Sequence, residues 1–303
     1  MKDRFSLYIY VNLICLVAAL FSLSPPSHRA FSQAISDRQE KIQLDVPYEP
    51  SSEEVVGAML RIANVGKNDL VYDLGCGDGR IVIGAAQKAG ARGVGVDLDP
   101  QRIRESQENA LKARVTDRVQ FFQQDLFQTE IGNATVIMLY LWPEVNLKLR
   151  PKLFHELKPG TRVVSHSHDM GSWEPDQNMT TSDGHRVYLW VIPTNVTGTW
   201  EWEMPREKER YLLKLSQQFQ KVSGTFQSGS GQVPVKNVEL RGDRLEIVVE
   251  RFSRGQMQSL RFTGRVQHNL IEGTAQVITR GSQKQRTWTA KRIPSSMNFR
   301  IYE

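Results

Sequence analysis

The sequence of 303 residues predicts an α/β doubly wound sheet followed by an all-β domain. Between residues 48 and 194, apolar strand-like runs alternate with helical segments, which is typical of a mostly parallel sheet with helices on both faces. Near Thr194 the pattern changes to short runs of alternating residues, separated by turns at intervals of roughly 8–12 residues. We therefore expect one domain at 48–194 and a separately folding β domain at 195–303.

The N-terminal segment predicts where the protein resides. Lys2 and Arg4 precede an apolar stretch, Phe5–Leu23, and two prolines and a small-x-small pattern in "FSQA" follow it. Residues 1–34 are therefore predicted to be either a secretory signal peptide or an uncleaved membrane anchor, with a polar linker at 35–47. A signal peptide predicts an exported (periplasmic) protein. An anchor predicts a protein that is associated with the membrane through its N-terminus.

The elements of the first domain can be assigned in chain order. Ser51 or Ser52 is the expected N-cap of the first helix, Gly90 closes the second, Pro100 opens the third, and Pro159 ends the fourth. The predicted order is helix "SSEEVVGAMLRIANV", strand "LVYDL", helix "RIVIGAAQKAG", strand "RGVGVD", helix "PQRIRESQENALKARV", strands "RVQFFQQD" and "ATVIMLYL", helix "PEVNLKLRPKLFHELKPG", and strands "TRVVSHS" and "HRVYLWVIP".

The sequence of the second domain predicts eight strands joined by tight turns. The predicted strands are "GTWEWEM", "RYLLKLSQ", "QKVSGTFQS", "QVPVKNVEL", "RLEIVVERF", "SLRFTGRVQ", "NLIEGTAQVI" and "RTWTAKRI". This pattern favours a barrel-like, up-and-down domain or a sandwich. "VSGTF", "FTGRV" and "IEGTA" each place a small residue in mid-strand, where glycine often marks a tight bend.

Charge and cysteine content limit the classes of partner and site. The net charge is +6, and residues 195–303 carry 18 Lys and Arg against 10 Asp and Glu. The β domain therefore suits an acidic partner or an anionic membrane surface, or it is a plain soluble domain with a basic bias. The chain has no run of Lys and Arg with interleaved aromatic residues, so the sequence does not predict nucleic-acid binding. Cys15 and Cys76 cannot form a disulfide framework, and we expect no metal site.

A glycine-rich loop, "VYDLGCGDGR", follows the first predicted strand. Glycine in a regular element costs roughly 0.5–1 kcal/mol, so Gly75, Gly77 and Gly79 together predict a ligand that lies against bare backbone. The third glycine falls one place early for a dinucleotide fingerprint, and no G-K-[ST] follows as a P-loop would require.

An acidic residue ends each of three successive predicted strands. Asp73, Asp97 and Asp125 would meet at the carboxyl edge of a parallel sheet, where ligands bind. Asp73 could pair with an amine, Asp97 could accept two ribose hydroxyls, and Asp125 could face a purine amino group. Three carboxylates disfavour a pyrophosphate and favour a cationic nucleoside, and S-adenosylmethionine fits that description.

These segments resemble the class I S-adenosylmethionine-dependent methyltransferases. "VYDLGCGDGR" is similar to their first motif and "GVDLDP" to their second, and "QFFQQDLF", which contains Asp125 and Leu126, is similar to their adenine-binding segment. The resemblance spans about residues 46–193. It implies a Rossmann-like sheet of strand order 3-2-1-4-5-7-6 with one antiparallel strand, and S-adenosylmethionine bound by the glycine loop and the three acids.

A narrower resemblance concerns the methyl acceptor. "VPYEPSSEEVVGAML", "TVIMLYLWPEVNLKLRPKL" and "GTRVVSHSHDMGSWEPD" resemble a bacterial group that is similar to the lysine methyltransferase acting on the mitochondrial ATP synthase. The resemblance implies a protein lysine as acceptor and a role for Tyr48 in covering the cofactor. Packing against the first helix is the alternative for Tyr48.

The segment "LYLWPEV" is where related enzymes hold substrate-facing residues. It offers Tyr140 and Trp142 and no Asn or Asp, so an aromatic slot that favours a neutral amine is expected, with helix packing as the alternative. His166, His168 and Asp169 follow the fifth predicted strand. They resemble metal ligands in isolation, but no further cluster has ligand spacing, and His168 or Asp169 could instead accept a proton from the substrate.

A second class of function stays open from the sequence alone. The protein could be an exported or membrane-associated binding protein whose β-barrel holds a small apolar ligand or a lipid. Six aromatic residues could line such a site or fill a core: Trp200, Trp202, Phe226, Phe252, Phe262 and Trp288. The intact glycine loop and its acids favour the methyltransferase.

Overall fold

The computed structural model contains two β-sheets. It describes residues 48–203, 210–229, 231–253, 255–280 and 282–296. The predicted signal peptide or anchor and its linker, residues 1–47, lie outside the described residues. In the described part of the chain, no helix combines the length and hydropathy needed to cross a bilayer.

The first sheet has seven strands and confirms the predicted α/β architecture. Its elements are α1 Glu53–Ile62, β1 Leu70–Leu74, α2 Arg80–Ala89, β2 Arg92–Asp97, α3 Pro100–Ala113, β3 Val119–Gln123, β4 Val136–Leu139, α4 Pro143–Glu156, β5 Arg162–His166, β6 Gln177–Thr180 and β7 Arg186–Val191. The strand order is β3-β2-β1-β4-β5-β7-β6, and β7 runs antiparallel to both of its neighbours. Strand β6 was not predicted from its own residues, because "QNMT" is short, polar and mostly exposed.

The first helix shows how the sequence sets an element boundary. Ser52 is the N-cap of α1, since its Oγ accepts a hydrogen bond from the Val55 amide at 3.2 Å. Ser51, the other candidate, is buried and bonds to His166 instead. The chain just before α1 is therefore fixed to the end of β5, next to the carboxyl edge of the sheet.

The second sheet has nine antiparallel strands in place of the predicted eight. They are β8 Gly198–Glu203, β9 Arg210–Gln218, β10 Lys221–Ser228, β11 Gly231–Pro234, β12 Asn237–Arg241, β13 Arg244–Ser253, β14 Gln256–Gln267, β15 Leu270–Thr279 and β16 Ser282–Arg292. The order is β11-β10-β9-β8-β16-β15-β14-β13-β12, so consecutive strands β11 and β12 form opposite edges.

The ninth strand arises because "QVPVKNVEL" is divided between the two edges. Pro234 ends β11, where its missing N–H leaves no ladder bond to donate, and Asn237 begins β12. Three trans peptide links span at most about 11 Å. The two edges therefore lie side by side, and the sheet curls back on itself.

Aromatic side chains fill the inside of this curled sheet. The rings of Trp202, Phe226, Phe262 and Trp288 are buried, with contacting centroids 5.0–5.9 Å apart. These rings pack on one another as a core, and the structure gives no support to the alternative of a ligand-binding protein. Phe252 is 71% exposed and belongs to no such lining.

The mid-strand glycines, which were predicted to mark tight bends, lie where neighbouring strands approach closely. Gly264 of β14 lies directly opposite Gly273 of β15. A Cβ atom on Gly273 would lie 2.0 Å from the Thr263 carbonyl oxygen, which no side chain could tolerate. Glycine at this pair therefore permits the close approach of β14 and β15.

Candidate active site

A cleft at the carboxyl edge of the first sheet brings together eight of the nine predicted site residues. They are Tyr48, Asp73, Gly75, Gly77, Asp97, Leu126, Tyr140 and Trp142. Asp125 is the exception. Its Oδ1 accepts the Phe127 amide at 2.8 Å and stabilises the turn after β3, while its neighbours Gln124 and Leu126 line the cleft. Contact between Asp125 and an adenine stays a prediction.

The glycine loop forms the floor of the cleft. The amides of Gly75 and Cys76 both donate to the Val96 carbonyl at 2.9 Å, which joins the loop to the end of β2. Gly77 has a φ of 52°, and a Cβ atom there would lie 2.5 Å from Cε2 of Tyr48. The backbone conformation therefore favours glycine, and any larger residue would displace the tyrosine ring.

Asp97 is held in a fixed orientation at the end of β2. Its Oδ2 accepts the Gly77 amide and its Oδ1 accepts the Asp99 amide, both at 2.9 Å. Burial raises the pKa of this carboxyl group, and the two backbone hydrogen bonds oppose that rise. A carboxylate anchored in this way presents its remaining lone pairs to the cleft, as acceptance of hydroxyl groups requires.

Asp73 is a buried carboxylate with an unsatisfied oxygen. It is 2% exposed, and its Oδ2 has no hydrogen-bond partner among the described residues. Burial raises its pKa well above the usual range, and the nearby charges of Asp97 and Asp78 add to the rise. As a charge, such a group destabilises the protein unless a proton or a cation neutralises it, so the cleft favours a positively charged ligand group.

Tyr48 covers the loop from the opposite side. Its ring lies against Gly77, and the guanidinium carbon of Arg102 is 4.4 Å from the ring centroid. Arg80 fixes the same segment, since its Nη1 donates to the Ser51 carbonyl at 2.7 Å. The structure therefore places Tyr48 over the cleft and gives it the position that the predicted covering role requires.

The residues of this half of the cleft fit S-adenosylmethionine. Asp73 offers an unpaired carboxylate to the α-amine, Asp97 offers oriented acceptors to a ribose, and the glycines leave the backbone open. The two arginines in the lining are engaged with carboxylates: Arg80 with Asp78, and Arg102 with Glu105. The cleft therefore favours a cationic nucleoside over a phosphate.

The other half of the cleft is aromatic. Burial, together with the charge and the hydrogen-bonding capacity of the nearby Glu49, raises the pKa of Tyr140 to about 12. The Tyr140 ring contacts His166 at 3.8 Å between centroids and lies parallel to His168 at 6.5 Å. Trp142, just before α4, is 51% exposed, so it does not pack as a core residue. Below, "the acceptor half" means Glu49, Tyr140, Trp142 and His168.

Sequence reasoning missed Glu49 and the structural use of His166. Glu49 lies within "VPYEPS", whose resemblance to related enzymes was the available signal. His166 is buried, with Nδ1 2.9 Å from Ser51 Oγ and Nε2 3.0 Å from His185 Nδ1. Burial, with the nearby His185 and His168, lowers its pKa to about 4, so it is a neutral residue that holds the covering segment. No group of three metal-ligating side chains is assembled within the described ranges.

Replacement of Asp97 by alanine is expected to weaken cofactor binding by at least about tenfold. A hydrogen bond to a charged group contributes about 1.5–3 kcal/mol, and 1.4 kcal/mol corresponds to a factor of ten. The variant also loses the bond that anchors the Gly77 amide. Calorimetric titration with S-adenosylmethionine measures the effect, and unchanged affinity in a variant with wild-type circular dichroism would rule out the ribose role.

Comparison with known proteins identifies relatives of this chain. A family model described as the ANTKMT methyltransferase domain matches residues 73–177. A protein-lysine N-methyltransferase of Saccharolobus islandicus is 48% identical over 151 residues, which cover 48% of this chain and 94% of the relative. The adenine nucleotide translocase lysine N-methyltransferase of Mus musculus is 31% identical over 138 residues, which cover 46% of this chain and 60% of the relative, so the match spans less than two thirds of that protein.

A solved structure also matches. It is described as an RNA methyltransferase from Salinibacter ruber in complex with S-adenosyl-L-homocysteine, with 49% sequence identity. The match covers 53% of this chain and 99% of that chain, with a TM-score of 0.47.

Proposed function

The chain belongs to the protein-lysine methyltransferase family represented by the Saccharolobus islandicus enzyme, and we propose that its own acceptor is the side-chain amine of a protein lysine. The chain is an S-adenosylmethionine-dependent methyltransferase. When bound, S-adenosylmethionine supplies the activated methyl group.

The observation that carries the proposal is the composition of the acceptor half. Glu49 supplies a negative charge, and the exposed face of Trp142 with the ring of Tyr140 can hold an alkylammonium group by cation–π attraction. No Asn or Asp lies in the "LYLWPEV" segment to accept the protons of an amide. These features together favour an amine over an amide nitrogen.

The amine must reach the methyl group without its extra proton, because a protonated nitrogen has no lone pair. Transfer into an aromatic slot removes water from the amine and lowers its pKa. His168 lines the same slot and can take the proton at a ring nitrogen. Catalysis then consists of positioning and desolvation, with the nitrogen lone pair attacking the methyl carbon as the carbon–sulfur bond breaks.

Transfer of isotope-labelled methyl groups tests the proposal. Purified protein and labelled S-adenosylmethionine are incubated with an extract of source cells that lack this enzyme, and protein, RNA and lipid are then separated. Label in methyl-lysine after complete hydrolysis of the protein fraction is the expected result. Label confined to RNA, to lipid, or to another amino acid would refute the lysine assignment and leave the methyltransferase activity intact.

We also propose that the chain is exported or membrane-anchored through residues 1–34. The support is the sequence pattern of a basic start, an apolar stretch and a small-x-small site. Mass spectrometry of the native protein should find either a mature chain that begins near Ile35 or an intact N-terminus in the membrane fraction. A soluble cytosolic chain that retains Met1 contradicts both alternatives.

A further inference from the structure

The turn between β9 and β10 inserts a side chain of the second sheet into the core of the first. Phe219 in this turn is 3% exposed, and it packs among the buried residues of the first sheet, not those inside the second. Its φ is 54°, a conformation that is rare for a bulky residue. Tertiary contacts must therefore hold the turn against its local preference.

The contacts of Phe219 reach two parts of the methyltransferase domain. Its ring centroid is 6.1 Å from that of Trp173, with the planes 18° apart, and 5.8 Å from that of Phe154 in α4. The guanidinium carbon of Arg150, also in α4, lies 5.2 Å from the ring centroid. Phe219 is thus wedged between α4 and the chain that follows β5.

Polar bonds fasten the same turn at its surface. Gln217 Nε2 donates to the Phe219 carbonyl at 2.6 Å and to the Thr194 carbonyl at 3.0 Å. Gln220 Nε2 donates to the Glu174 carbonyl at 2.6 Å. The Gln217 bonds hold the shape of the turn. Because Glu174 follows Trp173 directly, the Gln220 bond joins the turn to the end of the segment that Phe219 contacts.

That segment leads into the cleft. Residues 167–173 are called the post-β5 segment, and His168 of the acceptor half is its second residue. Arg150 Nη1 donates to the Met170 carbonyl at 2.8 Å, and Asn146 Nδ2 donates to the His168 carbonyl at 3.4 Å. Arg150 therefore contacts both the Phe219 ring and the backbone that carries His168.

We propose that Phe219 is a positioning residue for methyl transfer. By filling the space between Arg150 and Trp173, it holds the post-β5 segment in the arrangement that places His168 in the cleft. The second sheet thus supports the acceptor half of the site. The inference rests on the proposed function, since that assigns the acceptor half its role.

A pair of matched variants tests the proposal on the full chain. Phe219→Ala and Phe226→Ala each remove a buried ring from the second domain, but Phe226 packs only inside its own sheet. Only Phe219→Ala should lower the rate of labelled methyl transfer into the cell extract, by roughly tenfold or more, since small misplacements in a site are costly. Its affinity for S-adenosylmethionine should stay within about twofold of wild type, and Phe219→Leu should recover most of the rate.

A second readout separates this inference from the choice of acceptor. Hydrogen exchange measured by mass spectrometry should show faster exchange across residues 167–173 in Phe219→Ala and not in Phe226→Ala. Wild-type exchange and rate in Phe219→Ala, or an equal loss in both variants, would overturn the inference. A wild-type enzyme that labels no lysine would instead contradict the proposed function and leave the exchange result standing. If Phe219→Ala does not fold, the surface double variant Gln220→Ala/Lys221→Ala removes the Gln220 bond to the Glu174 carbonyl and the ion pair of Lys221 with the Glu174 carboxylate, 2.6 Å apart. It is expected to give the same exchange pattern, and wild-type exchange in it would overturn the inference.

Discussion

Replacement of Asp73 by asparagine is expected to have opposite effects on stability and on cofactor binding. Without cofactor, the free energy of unfolding at neutral pH should rise, because the change removes a buried charge whose Oδ2 has no partner within the described residues. The affinity for S-adenosylmethionine should fall by at least about tenfold, since a charge-assisted hydrogen bond contributes about 1.5–3 kcal/mol. Denaturant unfolding and calorimetric titration measure the two effects.

The pH dependence of the stability effect has a definite sign. Burial raises the pKa of Asp73 in the folded protein, so the folded state binds this proton more tightly than the unfolded chain does. Stability of the wild type is therefore lost as pH rises from the ordinary carboxyl pKa through the raised one. The advantage of Asp73→Asn should be absent below that window and should grow across it.

Asp69 provides a matched control with the opposite sign. Burial acts to raise its pKa, but bonds from the Gly66 amide, Thr135 and Arg162 outweigh burial and lower it. Its contribution to stability is present above the ordinary carboxyl pKa and is lost as pH falls. Asp69→Asn should destabilise the protein at neutral pH and leave cofactor affinity unchanged. Equal stability changes in the two variants would show that the open oxygen of Asp73 is not the cause.

Replacement of Trp142 by alanine should reduce turnover by about tenfold or more while changing cofactor affinity less than about twofold. A cation–π contact contributes up to about 2 kcal/mol when water is excluded, and Trp142 lies on the acceptor side of the cleft. Labelled methyl transfer and calorimetric titration separate the two quantities. Trp142→Phe, which keeps an aromatic face, should retain most of the rate.

A remote exposed residue controls for nonspecific surface effects. Leu111 in α3 is exposed and lies outside the cleft lining, so Leu111→Ala should behave as wild type.

At limiting acceptor, the wild-type rate of methyl transfer should rise with pH, because lysine loses its proton. A flat pH profile, or an equal loss of cofactor binding in Trp142→Ala, would contradict an amine slot at Trp142.

Much of the first sheet could be predicted because its signals are local. The glycine loop and the acids at strand ends are adjacent in sequence to the strands that position them, and resemblance supplied the strand order. Asp125 is absent from the cleft lining, and its Oδ1 accepts the Phe127 amide, so its contact with an adenine stays a prediction. Whether an acid at a strand end faces a ligand or its own backbone depends on turn geometry that spacing does not encode.

The second sheet was harder to predict because its decisive contacts are distant in sequence. The chain leaves one edge of the sheet at Pro234 and joins the opposite edge at Asn237. The alternating pattern of residues continues across this crossing, so the sequence does not reveal it. Phe219 looks like an ordinary residue near a hairpin turn, yet it is buried against Trp173 of the other domain. The expectation that residues 195–303 fold alone stays a prediction, and such a fragment would expose the Phe219 ring to water.

A crystal structure of the full chain with S-adenosylhomocysteine tests the division of the cleft most directly. We expect the amino group of the ligand within hydrogen-bond distance of Asp73, its ribose hydroxyls on Asp97, and its sulfur facing Tyr140 and Trp142. A ligand bound in the reverse sense, with its adenosine against Tyr140 and its sulfur turned away from Trp142, would contradict this assignment of the two halves.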